Sequence, residues 1–519
     1  MKLVFYLLAF LLITACHSKL PTEASIKKAG MLSTVNDNRP EPPTVASGNM
    51  LRKDSLLVDL QILEQALTEM HPGLYRYNKP EDIRQSFQQL KEGLPAEISE
   101  GEFMTRLAQC IAKIRCGHTY LNPWNMNREL RERLLGGKTY FPVGFNIIEG
   151  HFFATENVSG NESLKRGAEI LSINGLPIID IYNRLKSIAK SDGHNFAPTD
   201  HYLSLQQYEF ATWQAFDIYF QLFFPLQKEE YSLTFKNYDA EQVQRITVPA
   251  LGKKERAEKM QAKYGEAILG KEDWSLEIVN SKLAVMRLGT FAIWKWKGFD
   301  QKQWFADAFH QLDSLGIEQL AIDIRGNGGG LAEPANELIS YLIKDTLKCD
   351  DIGKIFIRTT KFNPDHLPYI DTWVDVLKTG LPPNLYRPAD NDLYELLLPS
   401  DCQDLAPKAK GFEGQTYLFG DASNVSATYT LLKKAKQFGF ATFIGQTSGG
   451  NQQGINGGEY AFFTVPYSKM EVDIPLKYFA PSQPMKDEGV FPQIPIEVKP
   501  ENIAKEIDPY LTYLQKEAK

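Results

Sequence analysis

The sequence predicts an α/β fold, layered in its second half and preceded by a helical region and a β-rich one. Three observations carry this reading. From about residue 275, short apolar runs such as Leu320-Ala321-Ile322-Asp323-Ile324 alternate with amphipathic stretches such as 302–315. A continuous apolar run of that length is the kind of strand that a sheet buries on both faces. Upstream, apolar residues recur at helical spacing over 51–135 and then in short alternating segments over 140–250.

Composition agrees with packed globular structure: 43% of the 519 residues are hydrophobic and 23% charged. At roughly 150 residues per domain, the length suggests two to four domains. The formal charge of -7 is spread without long runs of one sign, which argues against nucleic acid or an anionic membrane surface as a partner. Five cysteines are too few for a disulfide framework. Cys110 and Cys116 share a helical stretch and are not expected to pair, whereas Cys349 and Cys402 could. No CxxC or CxxC…HxxxH spacing is present, so a structural zinc site is not expected, and the activity expected below implies no metal or cofactor.

The N-terminus reads as a targeting segment. An apolar run, Leu3 to Ile13, follows Lys2 and ends in Ile13-Thr14-Ala15-Cys16. It is too short to span a bilayer and fits a signal-peptide core. Small residues directly before a cysteine resemble the bacterial lipobox, which implies cleavage after residue 15 and lipidation of Cys16. His17 follows, not the aspartate of inner-membrane retention, so the expected place is the cell envelope, at the outer membrane facing the periplasm or the cell surface. Residues 16–50, rich in Pro, Ser and Asn, read as a flexible tether.

Within 51–135, Leu56, Leu60, Leu63, Leu67 and Met70 mark one helix face. Ser99 and Glu102 form a capping-box pattern ahead of a second helix, with Phe103, Leu107, Ile111 and Ile114 inward. Gly117 is expected to end that helix and leave His118 at the mouth of a loop. In 140–250, Tyr140 to Phe145, His151 to Ala154 and Leu164 to Gly175 read as short alternating segments, with Asn174-Gly175 a tight turn between apolar strands. A helix follows over about 179–189, and 196–224 reads as an aromatic-rich helical insertion. In 275–505, strands are expected at Leu283–Leu288, Leu320–Ile324, Gln415–Phe419 and Ala441–Ile444, with helices over 302–315, from about Pro334, and over about 427–437.

Two loops of this last region could carry chemistry. Asp323-Ile324-Arg325-Gly326-Asn327-Gly328-Gly329-Gly330 directly follows a buried strand, and its glycines can expose consecutive N–H groups to an oxyanion or a phosphate. The phosphate reading lacks a GxxxxGK[ST] or GxGxxG spacing. Gly420-Asp421-Ala422-Ser423-Asn424-Val425-Ser426-Ala427-Thr428 joins a strand to a helix and puts Ser426 at the helix N-terminus. There a serine is either an N-cap or a hydroxyl whose alkoxide the helix end would favour.

The stretch Leu164 to Gly175 with the helix after it resembles a PDZ domain, with Ala168 where aspartate is usual. Such domains hold an extended peptide by adding it to a sheet edge. The DxRGNGGG turn after a strand, followed later by strand–SxxSA–helix, resembles the S41 peptidases, which include the tail-specific processing proteases and the tricorn core protease. The resemblance covers about 51–500 and includes Asp487-Glu488-Gly489-Val490-Phe491-Pro492, with Gln493 in place of a usual aspartate. It implies a ClpP/crotonase-like ββα-spiral peptidase domain with an N-terminal helical domain and a PDZ-like insert.

By that resemblance Ser426 is the nucleophile, and the oxyanion donors are the amides of Ala427 and of Gly328 or Gly329; Ser423 is the competing serine, read in preference as a turn residue. The processing proteases use a lysine about 25 residues after the serine; Asn451 stands there and no lysine lies between Lys436 and Lys469, so a Ser–Lys dyad is rejected. The tricorn-like branch uses histidine and an acid. Cys116-Gly117-His118-Thr119 matches its histidine motif, and Asp487 or Glu488 is the implied acid. A histidine titrates near neutrality, as a general base should.

His71 is expected to be structural, and His194, His201, His310 and His366 show no partner pattern. Cys116 lacks the strand–helix elbow that a nucleophile needs. The glycine-rich Gly445–Gly458 stretch either lines a specificity pocket or is a surface loop, and Trp294 and Trp296 either border the cleft or pack beneath it. The expected activity is serine-type endopeptidase hydrolysis of peptides or unstructured protein tails, on a chain held to the membrane by its lipid. The rival readings are a catalytically inactive peptide- or ligand-binding lipoprotein of the same fold and a small-molecule esterase using the same residues.

Overall fold

The computed structural model describes residues 48–206, 214–265, 274–348, 354–397 and 404–517. The apolar run, Cys16, most of the tether, Cys349 and Cys402 lie outside them.

The chain begins with helices α1 (Lys53–Met70), α2 (Pro80–Glu92) and α3 (Glu100–Ala112). The apolar stripe of α1 is buried as its spacing predicts: Leu56, Leu60, Leu63, Leu67 and Met70 are each at most 1% exposed. Ser99 caps α3, accepting the N–H of Glu102 at 3.2 Å. The helix stops at Ala112, not at Gly117, because Arg115 turns left-handed (φ 59°) and starts an irregular path to His118.

An antiparallel sheet follows in spatial order β1 (Val143–Ile148), β2 (His151–Asn157), β3 (Glu169–Ile173), β4 (Glu230–Lys236), β5 (Val243–Pro249). Helix α4 (Ile178–Lys186) packs against it. The expected Asn174-Gly175 turn is present, both residues having positive φ. The free side of β1 is occupied by this chain itself: Phe145 and Leu205 exchange both backbone hydrogen bonds, at 2.8 and 2.9 Å.

Helices Ala215–Phe223 and Lys253–Tyr264 are held together by Asp217 and Arg256, an ion pair at 2.6 Å with both side chains at most 1% exposed. Removing one member of a buried pair leaves the other charge uncompensated. Asp217→Ala should therefore destabilise the fold by about 3–5 kcal/mol, read as a drop in the denaturation midpoint.

The second half is an α/β unit. Strands β6 (Trp274–Ile278), β7 (Leu283–Leu288), β8 (Gln319–Asp323), β9 (Gln415–Gly420) and β10 (Thr442–Gly445) lie side by side, and a short strand, Ile494–Pro495, closes the far edge. All neighbours from β7 to Ile494–Pro495 are parallel, and β6 is antiparallel. Gln493 helps the closure: its side chain accepts the amide of Phe443 at 3.0 Å. Helices α5 (Gln301–Ser314), α6 (Ala332–Leu342) and α7 (Ser426–Phe438) pack in sequence, α5 on α6 and α6 on α7.

The hairpin β11 (Ile455–Thr464) and β12 (Glu471–Ala480) belongs to a separate sheet. Its residues Phe463, Val472 and Ile474 share one core with α1 and α3, and the Asp59 carboxylate of α1 accepts the amides of Tyr467 and Ser468 at 2.8 and 2.7 Å. The N-terminal helices are thereby fixed against the half of the molecule that holds Ser426. The expected Gly445–Gly458 loop is shorter than its glycines suggest, because Ile455–Gly458 already runs in β11.

Candidate active site

Parallel strands end on the same side of a sheet, so the loops after β8 and β9 meet, and here each satisfies the other's backbone. The Asn424 side chain donates to the carbonyls of Ile324 (2.6 Å) and Asn327 (3.1 Å), Thr428 Oγ1 donates to Asn327 O (2.8 Å), and Gly326 N–H donates to Asp421 Oδ2 (3.1 Å). Arg325 anchors the glycine loop from behind, bonding Asp323 (2.8 and 2.9 Å) and Asp508 (2.7 and 3.1 Å). Burial raises the Asp323 pKa, but Arg325, with Arg287, outweighs it and holds the carboxyl below its ordinary value.

Ser426 opens α7 in a left-handed conformation (φ 53°), rare for a residue with a Cβ. It is not the N-cap; Val425 is, and no side-chain cap bond forms. Such strain at a strand-to-helix turn lifts a side chain out of the backbone. The glycine loop is pressed against this turn. A Cβ on Gly329 (φ 100°) would lie 2.8 Å from Ser426 Cβ, 2.9 Å from Val425 O and 3.1 Å from Ala427 N. Of the two expected glycine donors, Gly329 spends its N–H on Asn327 Oδ1 (2.9 Å), whereas Gly328 is exposed. Ser423 is buried and its hydroxyl and amide both donate to Asp421, as a turn residue's do.

His118 is 9% exposed. It lies beneath β11, where a Cβ on Gly457 would be 3.7 Å from its Nε2, and its ring faces that of Tyr460 at 6.2 Å between centroids. Its Nδ1 is buried without a hydrogen-bond partner. Burial lowers its pKa, Asp192 opposes that and Lys190 adds to it. The ring is therefore neutral at neutral pH, the form a general base needs. Behind it His71 is fixed as a structural residue: its Nδ1 accepts Gly73 N–H (3.0 Å), its Nε2 meets Thr119 Oγ1 (2.7 Å), and burial drives its pKa to about 3. Cys116 is a buried thiol with a raised pKa, set against Asn456.

The two expected acids have other hydrogen-bond partners. Asp487 is bonded by the ring and the amide of His194 (2.9 Å to the amide) and by Asn451 Nδ2 (2.6 Å); burial raises its pKa, but these donors outweigh it and hold it low. Glu488 is met by Gln452 Nε2 at 3.4 Å. Neither makes a hydrogen bond to His118. The His194–Asp487 pair has no sequence signal, its members being 293 positions apart. Asn451, at the place of the processing-protease lysine, is fully buried: its Nδ2 also reaches Asp192 O (2.9 Å), and its carbonyl accepts Tyr429 OH (2.7 Å). It joins α7 through Tyr429, the turn after α4 through Asp192, and the Asp487–Pro492 segment through Asp487. Trp296 packs into the aromatic core with Trp274 and Phe299, while Trp294 is half-buried.

Residues 282–495, which hold both loops, match peptidase family S41. No curated protein matches the chain. Among solved structures, mature CPAF superposes with a TM-score of 0.57 at 14% identity, covering 89% of this chain and 96% of that one. A mutant of CPAF gives 0.61, also at 14% identity and with the same coverage. Mature CPAF complexed with lactacystin gives 0.56 at 14% identity, covering 89% of this chain and 97% of that one. Residues 282–495 are thus similar to the S41 peptidases, and the chain shares the fold of these structures, as the resemblance of its motifs implies.

Proposed function

We propose that this S41-like domain makes the chain a serine-type endopeptidase that hydrolyses peptides or unstructured protein tails. The observation that carries the reading is the left-handed Ser426 between β9 and α7, pressed against Gly329. Ser426 Oγ attacks the scissile carbonyl carbon while its proton passes to His118 Nε2. The N–H groups of Ala427 and Gly328 hold the carbonyl oxygen as it becomes an oxyanion. Collapse of the tetrahedral intermediate breaks the C–N bond, and the imidazolium returns the proton to the leaving amine. Water, activated by the same imidazole, then hydrolyses the acyl-enzyme.

No hydrogen bond joins His118 to Ser426 among the described residues; in substrate-free sites such bonds are commonly long and tighten on binding. The base works only while neutral, and burial lowers its pKa below 6.5. Activity should therefore persist into mildly acidic solution and fall as pH drops through that lowered pKa, seen as the acid limb of kcat/KM against pH.

The unbonded His118 and the missing lysine favour one rival, a binding protein that has kept the fold. Incubating purified protein with unfolded casein and with a small ester separates the readings. Internal cleavage of casein supports the endopeptidase, ester turnover alone supports an esterase, and binding without turnover supports the rival. For the N-terminus we propose a lipid anchor at Cys16 in the cell envelope; metabolic labelling with a radioactive fatty acid should be lost in Cys16→Ala.

A further inference from the structure

A neutral histidine that takes a proton at Nε2 carries its own proton on Nδ1, and a carboxylate facing Nδ1 fixes that tautomer and stabilises the cation that forms. His118 Nδ1 is buried with no partner, while the two expected acids are engaged by His194, Asn451 and Gln452.

A third carboxylate stands beside His118. Asp192 lies in the turn after α4, 4% exposed, and its Oδ1 accepts the N–H of Gly117, the residue before His118, at 2.8 Å. A Cβ on Gly117 would lie 2.7 Å from Asp192 Oδ2, so only glycine lets the carboxylate lie against this backbone. The Asp192 carbonyl is held by Asn451, whose own carbonyl holds Tyr429, three residues after Ser426. One chain of hydrogen bonds thus runs from the serine helix to the backbone that carries the histidine.

We infer that Asp192, brought into the site by the insert, is the positioning carboxylate of the His118 base. This rests on the reading of Ser426 and His118 as nucleophile and base. The groups around the ring are Asp192 and Lys190 from the insert, Tyr460 from β11, the Cys116 thiol, and Asp473 of β12 beyond Tyr460. Asp473 is taken up by Asn122 Nδ2, which donates to both of its carboxylate oxygens at 3.0 Å, and burial raises its pKa; Asp192 is the carboxylate whose charge favours the imidazolium.

The test is the pH profile of peptide hydrolysis by the full chain carrying Asp192→Asn. We expect kcat/KM to fall by on the order of 10²-fold or more, and the acid limb to move to lower pH because the imidazolium loses its counter-charge. A limb that stays in place, or a larger loss in Asp487→Asn than in Asp192→Asn, would overturn the assignment. Should Asp192→Asn not fold, the wild-type chain still decides. Its histidine ¹⁵N resonances, with His118 identified by comparison with His118→Gln, should show the proton on Nδ1, and a proton on Nε2 would overturn the assignment. Full turnover in Ser426→Ala would instead sink the underlying reading of Ser426 as nucleophile, whatever Asp192 does.

Discussion

Ser426→Ala should lower peptide hydrolysis by on the order of 10⁴-fold or more in kcat while leaving the fold intact. The large effect follows from the role: without Oγ no acyl-enzyme forms, and only binding and the oxyanion donors remain. The intact fold follows from the geometry. The Ser426 side chain makes no capping bond, and alanine meets the same left-handed strain that serine already bears. The check is a progress curve on a fluorogenic peptide beside a thermal melt. Matching melts with collapsed turnover are expected.

The second large effect is expected at a residue that does no chemistry. Gly329→Ala places a methyl 2.8 Å from Ser426 Cβ and 2.9 Å from Val425 O, atoms that cannot swing aside as a flexible side chain would. The backbone there is also at φ 100°, which alanine tolerates poorly. The glycine loop must retreat from the serine turn, which would move the Gly328 amide away from the oxyanion position proposed for it. Losing an oxyanion donor costs on the order of 10²–10³ in kcat. The expected signature is a fall in kcat with KM little changed, since the donors act on the oxyanion more than on the ground-state carbonyl.

What could be read from the sequence and what could not divide along a physical line. The strands and the two loops are local: apolar runs of five or six residues ended by glycine or by a Gly-Asp turn fix β8 and β9, and consecutive parallel strands bring their end loops together. The helix stripe of α1 is equally local. The surroundings of His118 are not local. Asp487 pairs with His194 across 293 positions, and Asn451 acts through three bonds to three separate segments. Nothing in the spacing of Lys190 to Asn195 announces a buried carboxylate. The start of β11 was hidden for another reason: Gly454, Gly457 and Gly458 look like loop, yet the strand accommodates the last two with a register shift after Gly457. Gly117 misled in the opposite sense. It promised a helix end, but its place is set by the Asp192 carboxylate packed against it.

Ser426 is expected to be an activated nucleophile, and a fluorophosphonate probe tests that most directly. Mass spectrometry of the digested adduct should find one phosphonylated residue, Ser426, with labelling abolished in Ser426→Ala and markedly slowed in His118→Gln. A folded protein that takes up no probe, or takes it up on Ser423 instead, would contradict it.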